Sequence, residues 1–515
     1  MFSSHSCAPS HSGEGSEQPL AKPKMSPQIA ESERRVVILG AGPAGLTAAY
    51  ELSARDVPCV VLERDNVVGG LARTVEHNGY RFDIGGHRFY TKVALVEKIW
   101  REILGDDLLT RQRLSRIYYK SRFFRYPLEP FDAVQGLGVI ESVRCALSFL
   151  RACLSPELPE DDFATWVSNR FGRRLFEIFF KSYTEKVWGM NCREIGAEWA
   201  AQRIQELSVG SLVLDALFPS RGKNIKTLIR EFQYPRLGPG MLWSRMKAIV
   251  ERRGVGIALN SPVESLEWEH GRIVSATAGG KRYEGANFIS SIPIRELIER
   301  LSPSAPPAVR AAATNLRYRD FITVAVIVRG KNLFPDNWIY IHDPSVTAGR
   351  IQNYNNWSPD MTPDPGMTCL GLEYFCNQND QLWERSDEDL VRLARKELSQ
   401  LGLVREQDIV DCAVVRVAKA YPVYDRTYQE ALTTIRGFLS VAPNLQLVGR
   451  NGMHRYNNQD HSMLTAILAA RNVMGWNFDL WKLNTDAQHV ESGRAVGEEY
   501  FAALEKTQPL VPRVV

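Results

Sequence analysis

A strand, a tight glycine turn and a helix are predicted in succession near the start of this chain. The apolar run Val36–Leu39 leads into Gly40, Gly42 and Gly45, which are spaced as Gly-x-Gly-x-x-Gly and precede an apolar-periodic segment. The first glycine permits the turn, the second lets backbone approach a pyrophosphate, and the third lets the helix pack against the strand. Because the N-terminus of that helix offers free N–H groups to phosphates, this segment predicts the opening βαβ unit of a dinucleotide-binding sheet.

An acidic residue follows at the spacing expected for a contact to the adenosine ribose. The next apolar run ends at Glu63, where a carboxylate accepts a hydrogen bond from the ribose 2′-OH. A glycine turn also occurs without a ligand, but the strand before it, the helix after it and Glu63 together favour nucleotide binding. The acid indicates an unphosphorylated ribose, as in FAD or NAD, and disfavours NADP.

Two further glycine-rich segments distinguish FAD from NAD. Gly-Gly-Leu-Ala-Arg spans 69–73, and Asp-Ile-Gly-Gly-His spans 83–87. Both resemble the flavoprotein superfamily of amine oxidases, protoporphyrinogen oxidases and UDP-galactopyranose mutases, in which the first segment lies along the FAD pyrophosphate and the second passes beside the flavin ring. A fixed guanidinium suits a phosphate, and paired glycines let backbone approach a flat ring. A nicotinamide enzyme needs neither segment.

The resemblance implies FAD as the cofactor, and we expect it to be non-covalent because no cysteine is placed to attach it. Arg73 is expected at the phosphates, and His87 beside the flavin, where a positioning role is favoured over a general base. The predicted cofactor-binding residues are Gly40, Gly42, Gly45, Glu63, Arg64, Gly70, Leu71, Arg73, Gly85, Gly86, His87, Val263, Gly449, Arg450 and Met463. Met463 opens an apolar helix whose N-terminus is expected to meet the flavin's electron-rich edge.

Composition limits the class of protein. The 515 residues suffice for two or more domains, and 63 basic against 59 acidic residues give a formal net charge of +4 without a basic block for nucleic acid. The eight cysteines are scattered, so no metal site or disulfide framework is predicted, and a reduced, cytoplasmic protein is favoured. No apolar run reaches the ~18 residues of a membrane span.

One apolar segment, 139–154, leaves a choice between two environments. Glu141, Arg144 and Arg151 interrupt it, so we expect a buried helix. A peripheral helix that binds a membrane surface is the alternative.

We predict an α/β fold in which a Rossmann-like FAD-binding domain carries an inserted helical and antiparallel β-sheet substrate domain. Helical periodicity dominates the first insertion, and β-rich runs that suit a sheet wall over a substrate pocket dominate the second. The predicted ranges are 1–34 for a disordered tail, 35–92, 235–300 and 440–475 for the discontinuous FAD-binding domain, 93–234 for a mostly helical cap, 301–439 for the β-rich part, and 476–515 for a peripheral helix and tail.

Four segments narrow the resemblance to the UDP-galactopyranose mutases. They occur in the same order as in those enzymes, with Tyr-Pro-Leu at 126–128, Tyr-Thr-Glu-Lys-Val-Trp-Gly at 183–189, Phe-Gln-Tyr-Pro at 232–235 and Gly-Arg-Asn-Gly-Met-His-Arg-Tyr at 449–456. The resemblance spans residues 35–475 and implies a sugar substrate, as in cell-surface polysaccharide synthesis. It also implies that Trp188 is the substrate-pocket tryptophan.

Two diphosphate contacts of the mutases are altered in this chain. Arg203 aligns with the first arginine of the mutase Arg-Ile/Leu-Pro-Val-Arg motif, but the second arginine aligns with Leu207. The first tyrosine of the C-terminal motif falls at His454, which leaves Tyr456 as the aromatic hydroxyl there. The arginines that could compensate are Arg317, Arg319, Arg350 and Arg455.

The predicted catalytic residues are Trp188, Arg203, His454 and Tyr456, and two of them have a structural alternative. Trp188 could be part of the core instead of the pocket. His454 could titrate near neutrality or be a buried, satisfied histidine. Candidate hydroxyl donors on the sheet wall are Tyr354, Tyr374, Tyr421 and Tyr424.

Two flavin chemistries remain open. In the first, a hydride passes from substrate to the flavin N5 and an acceptor reoxidises the flavin. In the second, reduced FAD supports a non-redox sugar-ring isomerisation of the mutase type. The altered diphosphate contacts favour a FAD-dependent oxidoreductase that acts on a sugar-nucleotide or lipid-linked glycan, with the mutase as the alternative. A flavin-binding scaffold without turnover is disfavoured because Trp188 and Arg203 are present.

Overall fold

A computed structural model describes residues 35–126, 128–197 and 231–483. The predictions for the tail 1–34, for Arg203 and Leu207, and for the chain beyond 483 lie outside these described residues. None of the helices in the described ranges is both long and apolar enough to cross a membrane.

The β-strands range in length from two to 14 residues. Strands of the described residues are β1 Val36–Leu39, β2 Cys59–Leu62, β3 Thr74–His77, β4 Tyr80–Asp83, β5 Leu108–Gln112, β6 Ser115–Tyr119, β7 Arg122–Arg125, β8 Glu231–Pro235, β9 Gly256–Ala258, β10 Val263–Glu269, β11 Arg272–Ala278, β12 Lys281–Glu284, β13 Asn287–Ser290, β14 Leu301–Ser302, β15 Tyr318–Arg329, β16 Trp338–Ile341, β17 Arg350–Asn353, β18 Met367–Cys376, β19 Ile409–Pro422 and β20 Leu445–Leu447.

The helices surround these strands, and a π-helical turn at Glu177–Lys181 joins the sixth helix to the seventh. Helices of the described residues are α1 Pro43–Ser53, α2 Ala94–Leu104, α3 Pro130–Leu137, α4 Val139–Leu154, α5 Phe163–Phe171, α6 Arg173–Phe176, α7 Ser182–Trp188, α8 Gly240–Arg252, α9 Ile294–Glu299, α10 Pro307–Asn315, α11 Tyr354–Trp357, α12 Asp387–Gln400, α13 Tyr428–Leu439, α14 Gly449–Gly452 and α15 Gln459–Val473.

A five-stranded parallel sheet in the order β20-β13-β1-β2-β9 forms the nucleotide-binding part. Its strands come from three separate stretches of the chain. The central strand β1 is apolar at every position and fully buried, as expected for a parallel strand covered on both faces. Helix α1 packs against α15 beside this sheet, which places the glycine turn after β1 next to the start of α15. The predicted Rossmann-like α/β fold is confirmed.

A seven-stranded sheet in the order β19-β15-β18-β17-β16-β6-β7 forms the wall at which a substrate-binding region is predicted. Its pairs are antiparallel except for β6, which runs parallel to β16. Two of its strands, β6 and β7, lie within the range 93–234, which the helical periodicity of the sequence predicts to be mostly helical. Their sequences, Ser-Arg-Ile-Tyr-Tyr and Arg-Phe-Phe-Arg, are only five and four residues long and show no strict alternation, so they give a weak strand signal beside the flanking helices.

Helix α4 forms where the apolar segment 139–154 predicts a helix, but the prediction that it is buried is wrong. Val139 and Leu154 are 75% and 87% exposed, and Cys145 is its one buried residue. One side of the helix lines the cavity described below, and most of the apolar side chains lie on a different side, where they are exposed.

Candidate active site

The glycine turn after β1 leaves a helix N-terminus without a side-chain cap. Gly40 has a φ of +97°, and a Cβ on Gly45 would lie 1.8 Å from the carbonyl oxygen of Gly40. Gly42 is the N-cap of α1, and no side chain accepts its first N–H groups. A Cβ on Gly42 would lie 3.8 Å from the Cα of Gly70. The two glycine segments therefore bring bare backbone together at a place suited to an anion.

Charged groups flank this turn at the end of β2. The buried carboxylate of Glu63 accepts hydrogen bonds from the N–H groups of Ala41 (2.6 Å) and Asp65 (2.9 Å). Arg73 donates from Nη1 to Oδ2 of Asp65 at 2.7 Å. Together these contacts hold one anionic and one cationic side chain at the cavity wall.

One cavity of about 1850 Å³ runs from the glycine turn to the seven-stranded sheet. Ligand pockets usually measure about 300–1,000 Å³, so this cavity has room for a dinucleotide and a substrate together. The predicted cofactor-binding residues that line it are Gly40, Gly42, Glu63, Arg64, Gly70, Leu71, Arg73, Gly86, His87, Val263, Gly449 and Arg450. The bare backbone, the arginine, the carboxylate and the available volume all fit FAD.

Gly45, Gly85 and Met463 are predicted cofactor-binding residues that the structure does not place in the cavity wall. Gly45 lies behind the turn, and Gly85 packs behind His87, whose Cε1 would be 3.0 Å from an added Cβ. Helix α15 begins at Gln459, four residues before Met463, so it presents Gln459 to the cavity. The sulfur of Met463 instead accepts a hydrogen bond from Trp100 Nε1 at 3.1 Å in the core.

His87 is placed to shape the cavity and not to carry a proton. Desolvation, and then the positive charges of Arg450 and Arg350, lower the pKa of His87 to about 3. The imidazole is therefore neutral at physiological pH, which suits the expected positioning role.

The loop before His87 is anchored through Asp83. Its carboxylate accepts hydrogen bonds from the Tyr234 hydroxyl (2.5 Å) and the Thr74 hydroxyl (2.9 Å). Its backbone carbonyl accepts one from the Tyr354 hydroxyl at 2.8 Å. Burial raises the pKa of Asp83 to about 7, although the bonds from Tyr234 and Thr74 act in the opposite direction.

Asp83→Asn should remove a pH-dependent part of the folding stability. The pKa of this carboxyl group is about 7 in the folded protein and 3.8 in the unfolded chain, so the folded state binds the proton more tightly. The resulting contribution to the free energy of unfolding is fully present below pH 3.8 and is lost as pH rises through 7. The free energy of unfolding of the wild type relative to the variant should therefore fall by about 1.4 kcal/mol per pH unit within that window. Urea unfolding of both proteins across it checks this, and a constant difference would contradict a protonated Asp83.

A buried ion pair supports the opposite wall. Arg350 donates from Nε to Glu373 Oε2 at 2.7 Å and from Nη2 to the Tyr421 hydroxyl at 3.1 Å. Gln352 donates to Glu373 Oε1 at 2.9 Å. Tyr421 in turn stacks on Tyr456, with ring centroids 5.8 Å apart. Arg350, Gln352, Tyr421 and Tyr456 all line the cavity, so the pair sets the position of two tyrosine hydroxyls.

Arg450 fixes the end of the cavity near α15. Its guanidinium donates three hydrogen bonds to the carbonyls of Asn457 and Ala420. It also lies 4.8 Å from the ring centroid of Tyr456. Within the described residues it makes no ion pair, so its positive charge stays available to the cavity.

Helix α7 brings Tyr183 to the cavity. Lys186 on the same helix donates to four backbone carbonyls of the segment 341–348, which anchors the helix to the sheet. Tyr183 then stacks on His342 with ring centroids 4.7 Å apart. Desolvation, followed by the charge of Lys186, lowers the pKa of His342 to about 3, so this stack is neutral.

Three of the four predicted catalytic residues lie in the described part of the chain, and these three do not come together at the cavity. Tyr456 lines the cavity, whereas Trp188 packs in an aromatic core cluster with its ring 6.4 Å from that of Tyr421. His454 is fully buried away from the cavity wall, and burial lowers its pKa to about 4. This favours the buried-histidine alternative over a titrating group. Arg203 lies outside the described residues.

The structure also shows which of the arginines that could compensate, and which of the candidate tyrosines on the sheet wall, line the cavity. Arg350 and Tyr421 line the cavity. Arg319 and Arg455 donate to backbone carbonyls elsewhere, and Arg317 lies near Asp425 on the surface. Tyr354, Tyr374 and Tyr424 do not line the cavity.

The cavity residues that sequence reasoning missed include Arg113, which precedes β6, and Tyr340 and His342, which lie in β16 and directly after it. The guanidinium of Arg113 lies 5.4 Å from the ring centroids of Tyr126 and Trp338. No local motif marks these positions, because only the pairing of β6 with β16 brings their strands together.

The model of flavin-containing amine oxidoreductases matches residues 43–474, from the start of α1, directly after the glycine turn, to the end of α15. The chain belongs to this family. It is a FAD-dependent enzyme, and the predicted cofactor and superfamily are confirmed. The expectation that FAD is held without a covalent bond stays a prediction. Within the described residues no cluster of His, Cys, Asp and Glu could hold a metal ion.

Solved structures share the fold over most of the chain. A reduced UDP-galactopyranose mutase has a TM-score of 0.77 at 21% identity, over 90% of this chain and 100% of that one. A putrescine oxidase bound to putrescine has a TM-score of 0.58 at 18% identity, over 86% and 99%. At such identities the likeness shows the fold alone.

Curated relatives match over shorter stretches. An L-amino-acid oxidase of Sistrurus catenatus edwardsii is 29% identical over 136 residues, which is 23% of this chain and 26% of the relative. Protoporphyrinogen oxidase 2 of Arabidopsis thaliana is 45% identical over 58 residues, 11% of each chain. The matches thus span about a quarter or less of these relatives.

Proposed function

We propose that this enzyme oxidises a sugar-nucleotide or lipid-linked glycan, and that a glycan joined to a lipid through a diphosphate suits the cavity best. The supporting observation is the composition of the substrate end. Tyr126 and Tyr340 border a cationic, hydroxyl-bearing region on one side and contact an apolar cluster around Phe124 and Phe179 on the other. One cavity thus offers partners for a charged head and for an apolar tail.

In this proposal Glu63, Arg73 and the backbone at Gly42 hold FAD, and the domain ranges given above remain a prediction. When bound, FAD would supply a two-electron acceptor for the hydride of a substrate C–H bond whose adjacent hydroxyl loses its proton to solvent, and an external oxidant would take up the two electrons. The guanidinium of Arg113 and the hydroxyl of Tyr421 bind and orient the diphosphate, since charge-assisted hydrogen bonds to phosphate are strong and directional.

Oxidation requires an acceptor in fixed proportion to product. We expect the enzyme to consume one equivalent of dioxygen or of a quinone for each substrate molecule oxidised, measured with an oxygen electrode or by the acceptor's absorbance. Tyr421→Phe should raise KM more than it lowers kcat, because the hydroxyl orients the head group and does not exchange electrons. Product formation without any acceptor consumption would contradict an oxidase.

The second candidate is a non-redox mutase, which the shared fold of the reduced UDP-galactopyranose mutase suggests. Arg350, Tyr421 and Tyr456 would serve its diphosphate equally well. The burial of His454 removes it from the cavity wall, so that position contributes no contact to a substrate.

A further inference from the structure

Helices α3 and α4 carry an unusual share of the exposed apolar surface. Nine of the 13 large hydrophobic side chains exposed in the described part of the chain lie between residues 131 and 158. Most soluble surfaces scatter such side chains singly, and a contiguous group marks an interaction site. The six on α4 are Val139, Ile140, Val143, Leu147, Leu150 and Leu154.

These six side chains share one face of α4. At about 100° per residue they fall within an arc of about 100°, so they form a continuous apolar stripe four turns long. Arg144 and Arg151 follow at one edge of that arc, and both are exposed. An apolar stripe edged by arginines is the pattern of a helix that lies in the plane of a lipid surface.

The stripe is continuous with the substrate end of the cavity. Phe131, Val134 and Leu150 are 84%, 48% and 54% exposed, and all three also line the cavity. A neighbouring side of α4, with Cys145 and Phe149, forms cavity wall. The apolar surface and the cavity therefore meet at a shared rim.

We propose that the face of α3 and α4 docks on a lipid bilayer and opens the cavity to molecules that lie in it. A folded protein seated on this rim would cover the mouth of the cavity, whereas a bilayer covers the same apolar surface and can itself deliver an apolar tail. The arginine edge suits anionic head groups. The docking is inferred from the exposed apolar face alone, whereas the entry of a substrate tail through the rim rests on the proposed function.

Flotation with lipid vesicles tests the docking. The full-length FAD-loaded enzyme is mixed with vesicles of phosphatidylcholine and phosphatidylglycerol and centrifuged through a density gradient. We expect it to float with the vesicles, and the double variant Leu147→Glu/Leu154→Glu to bind roughly tenfold less or weaker still. The matched control is Val410→Glu/Val441→Glu, whose two positions are 42% and 53% exposed elsewhere, and it should float like the wild type.

Thermal unfolding and flavin content accompany each flotation. Because Leu147 and Leu154 are 61% and 87% exposed, their substitution should leave both unchanged. Wild-type enzyme that stays with the soluble fraction would overturn the docking. If the double variant also melts earlier, another part of this chain covers the face; if it dissociates a dimer, a second copy does, and either result overturns the proposal.

The binding assay involves no turnover, so it can fail independently of the proposed function. If the enzyme oxidises a substrate but does not float with vesicles, the proposed function is supported and the docking is contradicted. Enzyme that floats but oxidises no lipid-linked glycan would retain the docking and lose the substrate.

Discussion

Gly45→Ala is expected to yield protein without FAD and with reduced stability. Its Cβ would lie 1.8 Å from the carbonyl oxygen and 2.9 Å from the carbonyl carbon of Gly40, both rigid backbone atoms of the turn. The helix α1 must then move away from β1, which costs about 1–3 kcal/mol of unfolding free energy and displaces the N–H groups that face the cavity. The ratio of flavin to protein absorbance after desalting, with a thermal melt, measures both effects.

Two other glycines provide matched controls. Gly437 lies in α13 with nothing within 4 Å of an added Cβ, so Gly437→Ala should keep its FAD and gain about 0.4–1 kcal/mol. Gly42→Ala should fold normally, because its Cβ would meet only the Cα of Gly70 at 3.8 Å, but it should lose FAD by filling the space left for phosphate. A full complement of flavin in Gly45→Ala would show that the turn does not position the cofactor.

Arg350→Met is expected to cause the largest loss of stability in the substrate wall. Glu373 is fully buried and its carboxylate depends on Arg350 and Gln352 for partners. Removing one member of such a pair leaves an uncompensated buried charge and typically costs about 3–5 kcal/mol. The Tyr421 hydroxyl also loses its guanidinium partner, so substrate turnover should fall as well. Denaturant unfolding and steady-state kinetics record the two effects.

A double variant separates charge from packing at this pair. Arg350→Met/Glu373→Gln removes both charges, so it should recover part of the stability lost in Arg350→Met while turnover stays low. Because a single and a double substitution are compared, the difference isolates the buried carboxylate. A double variant as unstable as the single one would mean that Arg350 stabilises the wall through packing alone.

The nucleotide-binding half of the site follows from local sequence patterns. Gly40, Gly42 and Glu63 are close in the chain, and the turn between β1 and α1 fixes their geometry, so a motif suffices to predict them. The segments ending at Arg73 and His87 are equally local. Gly449 lies at the cavity directly after β20, and the apolar run before this glycine predicts such a strand from sequence.

The substrate half depends on long-range pairing that local patterns do not contain. Arg113 and Tyr340 reach the cavity because β6 pairs with β16, more than 200 residues away. His454 has the same local signature whether it faces a cavity or a core, and only the packing against Tyr318 decides. Met463 is predicted one helical turn too late because the polar residues that start α15 do not continue its apolar pattern.

The wrong prediction that α4 is buried shows what a local pattern leaves open. Its apolar residues obey helical spacing, which predicts the helix but not what covers it. Core helices and lipid-surface helices share an apolar stripe, so helical spacing does not distinguish them. Only the arrangement of α4 beside the cavity shows that the stripe lies on the outside.

The decisive measurement is the visible spectrum of the oxidised enzyme after anaerobic addition of a lipid diphosphate-linked sugar. We expect the oxidised flavin band to disappear within one turnover, with one oxidised product per flavin, and to return when oxygen is admitted. A flavin that stays oxidised with every such substrate, together with conversion of UDP-galactopyranose to an isomer by dithionite-reduced enzyme alone, would contradict the oxidoreductase and establish the mutase.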